Sequence, residues 1–116
     1  MFVSLHLEMS TEAEQEIIIE RIKELAARIL PKGSSLWLYG SRARGDARPD
    51  SDYDLLILLE NEESMSKADS SAYDLCLMGY ENGVEINPHI YPRKKWEGWT
   101  YSPFYKNVTR DKRVLI

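Results

Sequence analysis

The sequence predicts an α/β domain with a small mixed β-sheet of three or four strands and helices packed mainly on one face. Three observations predict it. Two short apolar runs, residues 36–39 and 55–59, are bounded by Gly, Pro and Asp, the pattern of strands covered on both faces. A third run, residues 84–91, alternates with period two, so that Val84, Ile86 and Ile90 point one way and Glu85, Asn87 and His89 the other. A helical stripe of Ile18, Ile22, Leu25, Ala26 and Ile29 precedes them and would cover one sheet face.

Taken in order, residues 1–9 offer Phe2, Leu5 and Leu7 for packing as a frayed arm or a short strand, with His6 exposed. Thr11-Glu12-Ala13-Glu14 fits a capping box, so the first helix is expected to start there. Glu20, Arg21, Lys23 and Glu24 lie off its apolar stripe, and Pro31 and Gly33 end it. Residues 60–71 are polar and Ser-rich. Either Ser64 or Ser66 caps a second helix through Ala72, Leu75 and Met78, or a loop precedes a helix starting near Ser70; Gly79 or Asn82-Gly83 ends it. Pro88 cannot donate to a ladder, which places the third strand at an edge or a bulge. The last stretch holds Trp96, Trp99, Tyr101, Phe104 and Tyr105 among Arg93, Lys94, Lys95 and Lys106. These aromatics either close the open sheet face or serve a nucleobase or a partner protein. Ser102-Pro103 is expected to start a short final helix through Val108.

The chemistry concentrates between the first two strands. Gly40 permits close backbone approach to a ligand, and Ser41 would start a short helix with its hydroxyl and positive end toward a phosphate. Arg42 and Arg44 would add charge suited to bidentate phosphate contacts. Asp52 and Asp54 follow at the opening of the second strand. Period two sends both carboxylates from one face, their Cα atoms roughly 6 to 7 Å apart, which suits a shared Mg²⁺ or Mn²⁺. Each piece alone is common as plain structure; the order is what makes them a candidate site.

Gly40-Ser41-Arg42-Ala43-Arg44-Gly45 followed by Ser51-Asp52-Tyr53-Asp54-Leu55 resembles the signature of the DNA polymerase β type nucleotidyltransferase superfamily. The shortness of the chain resembles its minimal nucleotidyltransferase (MNT) branch. The resemblance implies the nucleotidyltransferase fold over one domain, residues 1–116, with Gly40 and Ser41 on the nucleotide phosphates and Asp52 and Asp54 on Mg²⁺ (or Mn²⁺). It also implies a third carboxylate on the third strand that completes the metal site and accepts the proton of the attacking hydroxyl. Glu85, in Val84-Glu85-Ile86, stands at that position, where the family more often has Asp. The residues alone leave a second reading open, an edge-strand Glu facing water.

The implied activity is Mg²⁺-dependent transfer of a nucleoside monophosphate, AMP from ATP or the equivalent from another NTP, to a hydroxyl. A chain of 116 residues has no room for a second, acceptor-binding domain, so the acceptor is expected from elsewhere. The resemblance supplies a candidate, a helical HEPN-type partner toward which some MNT members act as antitoxins. Two other classes stay in view: a catalytically weak nucleotide- or partner-binding module, and a small-molecule nucleotidyltransferase of the antibiotic-modifying kind, which would need a further domain or a homo-oligomer. A net charge of −4 argues against an extended nucleic-acid footprint. No apolar run reaches membrane-spanning length and no secretory leader is evident, so the cytoplasm is the expected compartment. The single cysteine, Cys76 between Leu75 and Leu77, reads as a small core residue.

Overall fold

A long helix, α1 (Phe2–Ile29), leads into strand β1 (Ser35–Tyr39), the one-turn helix α2 (Ser41–Arg44) and strand β2 (Tyr53–Leu59). A 3₁₀ turn (Glu62–Ser64) and helix α3 (Met65–Glu81) cross over to strand β3 (Ile86–Pro92). Helices α4 (Arg93–Glu97) and α5 (Pro103–Asp111) and the short strand β4 (Arg113–Val114) follow. This computed structural model describes the backbone of residues 2–116 and the side chains of residues 12–116.

The sheet is mixed, with order β3-β2-β1-β4. β1 runs antiparallel to both β2 and β4, while β2 and β3 are parallel, the arrangement that a helical crossover through α3 requires. Period two then sorts the sheet into two faces. Leu36, Leu38, Leu55, Ile57 and Leu59 are fully buried against Ile18, Ile19, Ile22 and Ala26 of α1 and Ala68 and Leu75 of α3. Leu56 and Leu58 point the other way and form a second core with Trp96 and Val108, flanked by Trp37, Tyr39, Tyr91, Phe104 and Tyr105. The two long helices therefore cover one face, as expected, and the aromatic segment closes the other. Trp96, only 2% exposed, lies within 6.4 Å of Trp37, Tyr91, Trp99, Phe104 and Tyr105, ring centroid to centroid. Closure of the open face, rather than display, is what most of these rings do, although Tyr101 is 90% exposed.

Several local expectations are corrected. α1 begins at Phe2 rather than at Thr11, so the Thr11-Glu14 segment lies inside a helix. No Gly or Pro interrupts residues 2–29, and an interior Thr costs only about 0.7 kcal/mol or less relative to Ala. The packing expected of Phe2, Leu5 and Leu7, the exposure of His6 and the cap hydroxyl of Thr11 lie outside the described side chains. α3 starts directly after Ser64, which makes no side-chain cap bond. The serine that matters is Ser71, buried, with its hydroxyl 2.7 Å from the Ile29 carbonyl and 3.0 Å from that of Lys67, tying α3 to the end of α1. Gly79 lets α3 lie close on β3, since a Cβ there would meet Ile86 Cγ1 at 2.8 Å. β3 begins at Ile86 rather than Val84 and is an edge strand, consistent with Pro88. The final helix starts as expected, with Ser102 Oγ accepting from the Tyr105 N–H at 3.0 Å and Pro103 at its first position. α4 and β4 have no counterpart in the sequence reading; β4 is two residues long, too short for any periodicity. Cys76 is half-buried, its Sγ 3.4 Å from the Ile86 carbonyl, and burial, with the nearby Glu85 charge, pushes its thiol up. Among the described residues no helix is long and apolar enough to cross a membrane.

Candidate active site

β1 ends at Tyr39, and the chain must then turn sharply to open α2. Gly40 makes that turn at φ 74°, ψ −158°, a conformation essentially reserved for glycine. Its Ala43 and Arg44 N–H groups return to the Gly40 carbonyl at 3.0 Å each, and Gly45 closes the helix in the left-handed conformation. Ser41 and Arg42 begin the helix, where backbone N–H groups have no intrahelical acceptor.

The second half of the site faces this turn across the β1–β2 ladder, where Tyr39 pairs with Asp54. A Cβ on Gly40 would lie 2.5 Å from Asp54 Oδ2, so the glycine is the only residue that lets this carboxylate sit against the turn. Asp54 Oδ1 accepts from Asn87 Nδ2 at 3.3 Å, because the parallel register sets Asn87 beside Asp54. Burial raises the Asp54 carboxyl above its ordinary range. The Asn87 bond opposes the rise, the Asp52 charge adds to it, and His89 and Arg44 lower it. Burial and the same Asp54 charge push the Tyr39 phenol far up. Asp52, half-buried, precedes β2 by one residue. Carboxylates are hard donors, and those of Asp52 and Asp54, near enough for the Asp52 charge to raise Asp54, are of the chemical type that would suit Mg²⁺ or Mn²⁺.

The two arginines of the turn part company. Arg44 is exposed, its Nε 3.2 Å from Asp46 Oδ2 and its Nη1 3.1 Å from Asp111 Oδ2. The hydrogen bond from Arg110, and with it Arg44, holds the Asp111 carboxyl down to about 2. Arg42, expected beside Arg44 at the phosphates, turns inward instead. Its guanidinium donates to the carbonyls of Ser51 and Pro49 and to Gln15 Oε1, and lies 4.4 Å over the Tyr53 ring.

Glu85 is exposed and lines a cleft of about 390 Å³ with Pro49, Asp50, Ser51, Tyr80, Gly83 and Val84, while its carbonyl accepts from the Tyr53 N–H at 2.9 Å. Among the described residues no three His, Cys, Asp or Glu side chains gather closely enough to hold a metal; the Asp52 charge acts on the Asp54 carboxyl, while Glu85 lines the cleft. The residues that sequence reasoning missed are Asn87 and Gln15. Alternation places Asn87 on the face of Glu85 and His89, but only the register shows that it meets Asp54.

Solved structures share this arrangement of elements. A toxin-antitoxin crystal structure with AMP-PNP superposes with a TM-score of 0.58 at 15% identity, covering 84% of this chain and 72% of its own. A Sulfolobus solfataricus protein assigned as a nucleotidyltransferase superposes with a TM-score of 0.59 at 17% identity, covering 90% and 85%. At such identities the likeness is one of fold. No curated protein matches the chain. The profile of the Nucleotidyltransferase domain family, however, matches residues 17–116, nearly the whole of the structure from the middle of α1 through β4, and the chain belongs to that family.

Proposed function

We propose that this protein transfers a nucleoside monophosphate, AMP from ATP, to a hydroxyl on a partner protein, as the antitoxin half of a toxin pair with a HEPN-type helical partner. The observation that carries the reading is the packing of the phosphate-turn glycine on a strand carboxylate, Gly40 against Asp54 Oδ2. It supports reading the turn as a phosphate cradle and the neighbouring carboxylates as the pair that would hold the cation. The toxin-antitoxin fold neighbour with AMP-PNP supports the nucleotide and the partner.

In this reading Gly40 and Ser41 receive the triphosphate through backbone N–H groups and the Ser41 hydroxyl, and Arg44 adds its charge by exchanging Asp111 for a phosphate oxygen. Asp52 and Asp54 would hold Mg²⁺ or Mn²⁺, which when bound neutralises phosphate charge and makes a hydroxyl more acidic. Asn87 keeps the Asp54 carboxylate oriented. The part that family resemblance gives Glu85, third ligand and proton acceptor, would require its side chain to leave the cleft bank. Arg42 serves the site from below rather than at the phosphates.

The test is to incubate the protein with each NTP, Mg²⁺ and the product of the neighbouring reading frame and to measure intact masses. A gain of one nucleoside monophosphate on the partner, lost in Asp54→Asn, is the expected result. No mass gain together with no NTP binding would sink the proposal. The missing third carboxylate favours one second reading, a nucleotide-binding module with little turnover; NTP binding without any mass gain would select it.

A further inference from the structure

Arg42 is 5% exposed, and its guanidinium is held by hydrogen bonds to uncharged groups. Its partners are two loop carbonyls and one amide. Nε and Nη2 both reach the Ser51 carbonyl, at 3.2 and 2.9 Å, and Nη2 also reaches that of Pro49 at 3.2 Å. Nη1 donates to Gln15 Oε1 at 3.1 Å, while Gln15 Nε2 donates back to the Arg42 carbonyl at 3.3 Å. The guanidinium plane lies over the ring of Tyr53. Ser51 and Tyr53 are the residues on either side of Asp52, so one group grips both neighbours of that carboxylate. The same side chain belongs to α2, the phosphate turn, and is steadied by α1.

We propose that Arg42 is a positioning residue for Asp52, fixing the carboxylate relative to the phosphate turn so that cation and nucleotide are bound in one frame. The inference rests on the reading of Asp52 and Asp54 as the cation-holding pair. Lysine cannot replace the fork, since a single ammonium reaches neither both carbonyls nor the ring and the amide at once. Groups that orient a metal ligand weaken metal binding when lost without removing the ligand, and Arg42 would orient Asp52 through the residues on either side of it.

The experiment measures Mn²⁺ binding alone, by electron paramagnetic resonance, and ATP binding in EDTA, by calorimetry, in the parent and in Arg42→Lys. Circular dichroism establishes that the variant is folded. The expected result is a Mn²⁺ Kd raised roughly 10-fold or more, with ATP affinity in EDTA within about twofold of the parent. A folded Arg42→Lys with parental Mn²⁺ affinity overturns the proposal, and so does an equal loss of both affinities, which would make Arg42 a general support of the turn. If Arg42→Lys does not fold, Gln15→Leu removes both helix-side hydrogen bonds of Arg42 and leaves its loop contacts; a smaller rise in the Mn²⁺ Kd alone supports the proposal and no change overturns it. A parent that binds no Mn²⁺ defeats the reading of the Asp pair itself, a distinct outcome.

Discussion

The two faces of the sheet are built from different materials and do different work. One is aliphatic, two long helices laid on Leu and Ile side chains, and carries no candidate site residue except Arg42 and its tie to α1. The other is aromatic and closed by two short helices, and on it lie Tyr39, Asp54, Asn87 and His89. His89 and Tyr39 touch Phe104 of α5 at 6.2 and 5.7 Å between ring centroids, so the aromatic core runs directly into the site. Damage to the two cores should therefore read out differently.

Trp96→Ala and Leu75→Ala break this comparison most forcefully. Each truncates a fully buried side chain, and chemical denaturation should show losses of about 3–5 kcal/mol for Trp96 and about 2–5 kcal/mol for Leu75. At temperatures where both remain folded, Trp96→Ala should also weaken nucleotide transfer while Leu75→Ala leaves it near parental. Equal transfer rates in the two variants would show that the faces are not functionally distinct.

Next in size is Asp54→Asn, together with Asp52→Asn. Each removes a charge that would hold the cation while keeping volume, and each should lower Mg²⁺-dependent transfer by roughly 10²–10³-fold or more. Their stability should move oppositely. The folded Asp54 carboxyl titrates above its ordinary value, so between that value and the raised one the native state binds more protons than the unfolded chain. Stability therefore falls as pH rises through that window, and metal-free Asp54→Asn should be at least as stable as the parent at neutral pH. Thermal melts from acidic to neutral pH in EDTA check this; a variant markedly less stable than the parent at neutral pH contradicts it.

Gly40→Ala tests the joint between the faces. The left-handed backbone costs about 1–3 kcal/mol with a side chain, and the methyl would push Asp54 Oδ2 from its place. Mn²⁺ and ATP affinities should fall together, in contrast to Arg42→Lys. Unchanged ATP affinity would place the phosphates elsewhere.

The smallest effect is expected of Glu85→Gln. With the side chain on the cleft bank and outside the Asp pair, turnover should change less than the roughly 10² to 10⁴-fold that a general base contributes. A loss within that range, with ATP binding retained, would restore Glu85 as proton acceptor.

Much of this was legible in the chain because it depends on neighbours in sequence. Residues 55–59 are apolar without alternation because β2 is buried on both faces, and the Ile18, Ile22, Ala26 stripe marks the buried side of α1. Gly40-Ser41 announced a turn, and the order of that turn and Asp52-x-Asp54 pointed to the nucleotidyltransferase family whose profile matches residues 17–116. Arg42 was misplaced for a definite reason. Residues two apart on a helix point about 200° apart, so Arg42 and Arg44 could never share a face, and only the Tyr53 ring and the Ser51 carbonyl decide which one is buried.

Local pattern carries the period that assigns each strand residue to a face and the glycine that allows the turn. What only the tertiary structure decided is registration between distant segments. Alternation puts Glu85, Asn87 and His89 on one side, but the offset between β2 and β3 is what sets Asn87 against Asp54, and Glu85, just before β3, lines a cleft with Tyr80. A shift of two residues along a strand preserves every face and every buried leucine, so nothing in the local pattern selects among such offsets. The choice is made by packing across the crossover, where Gly79 of α3 meets Ile86 of β3.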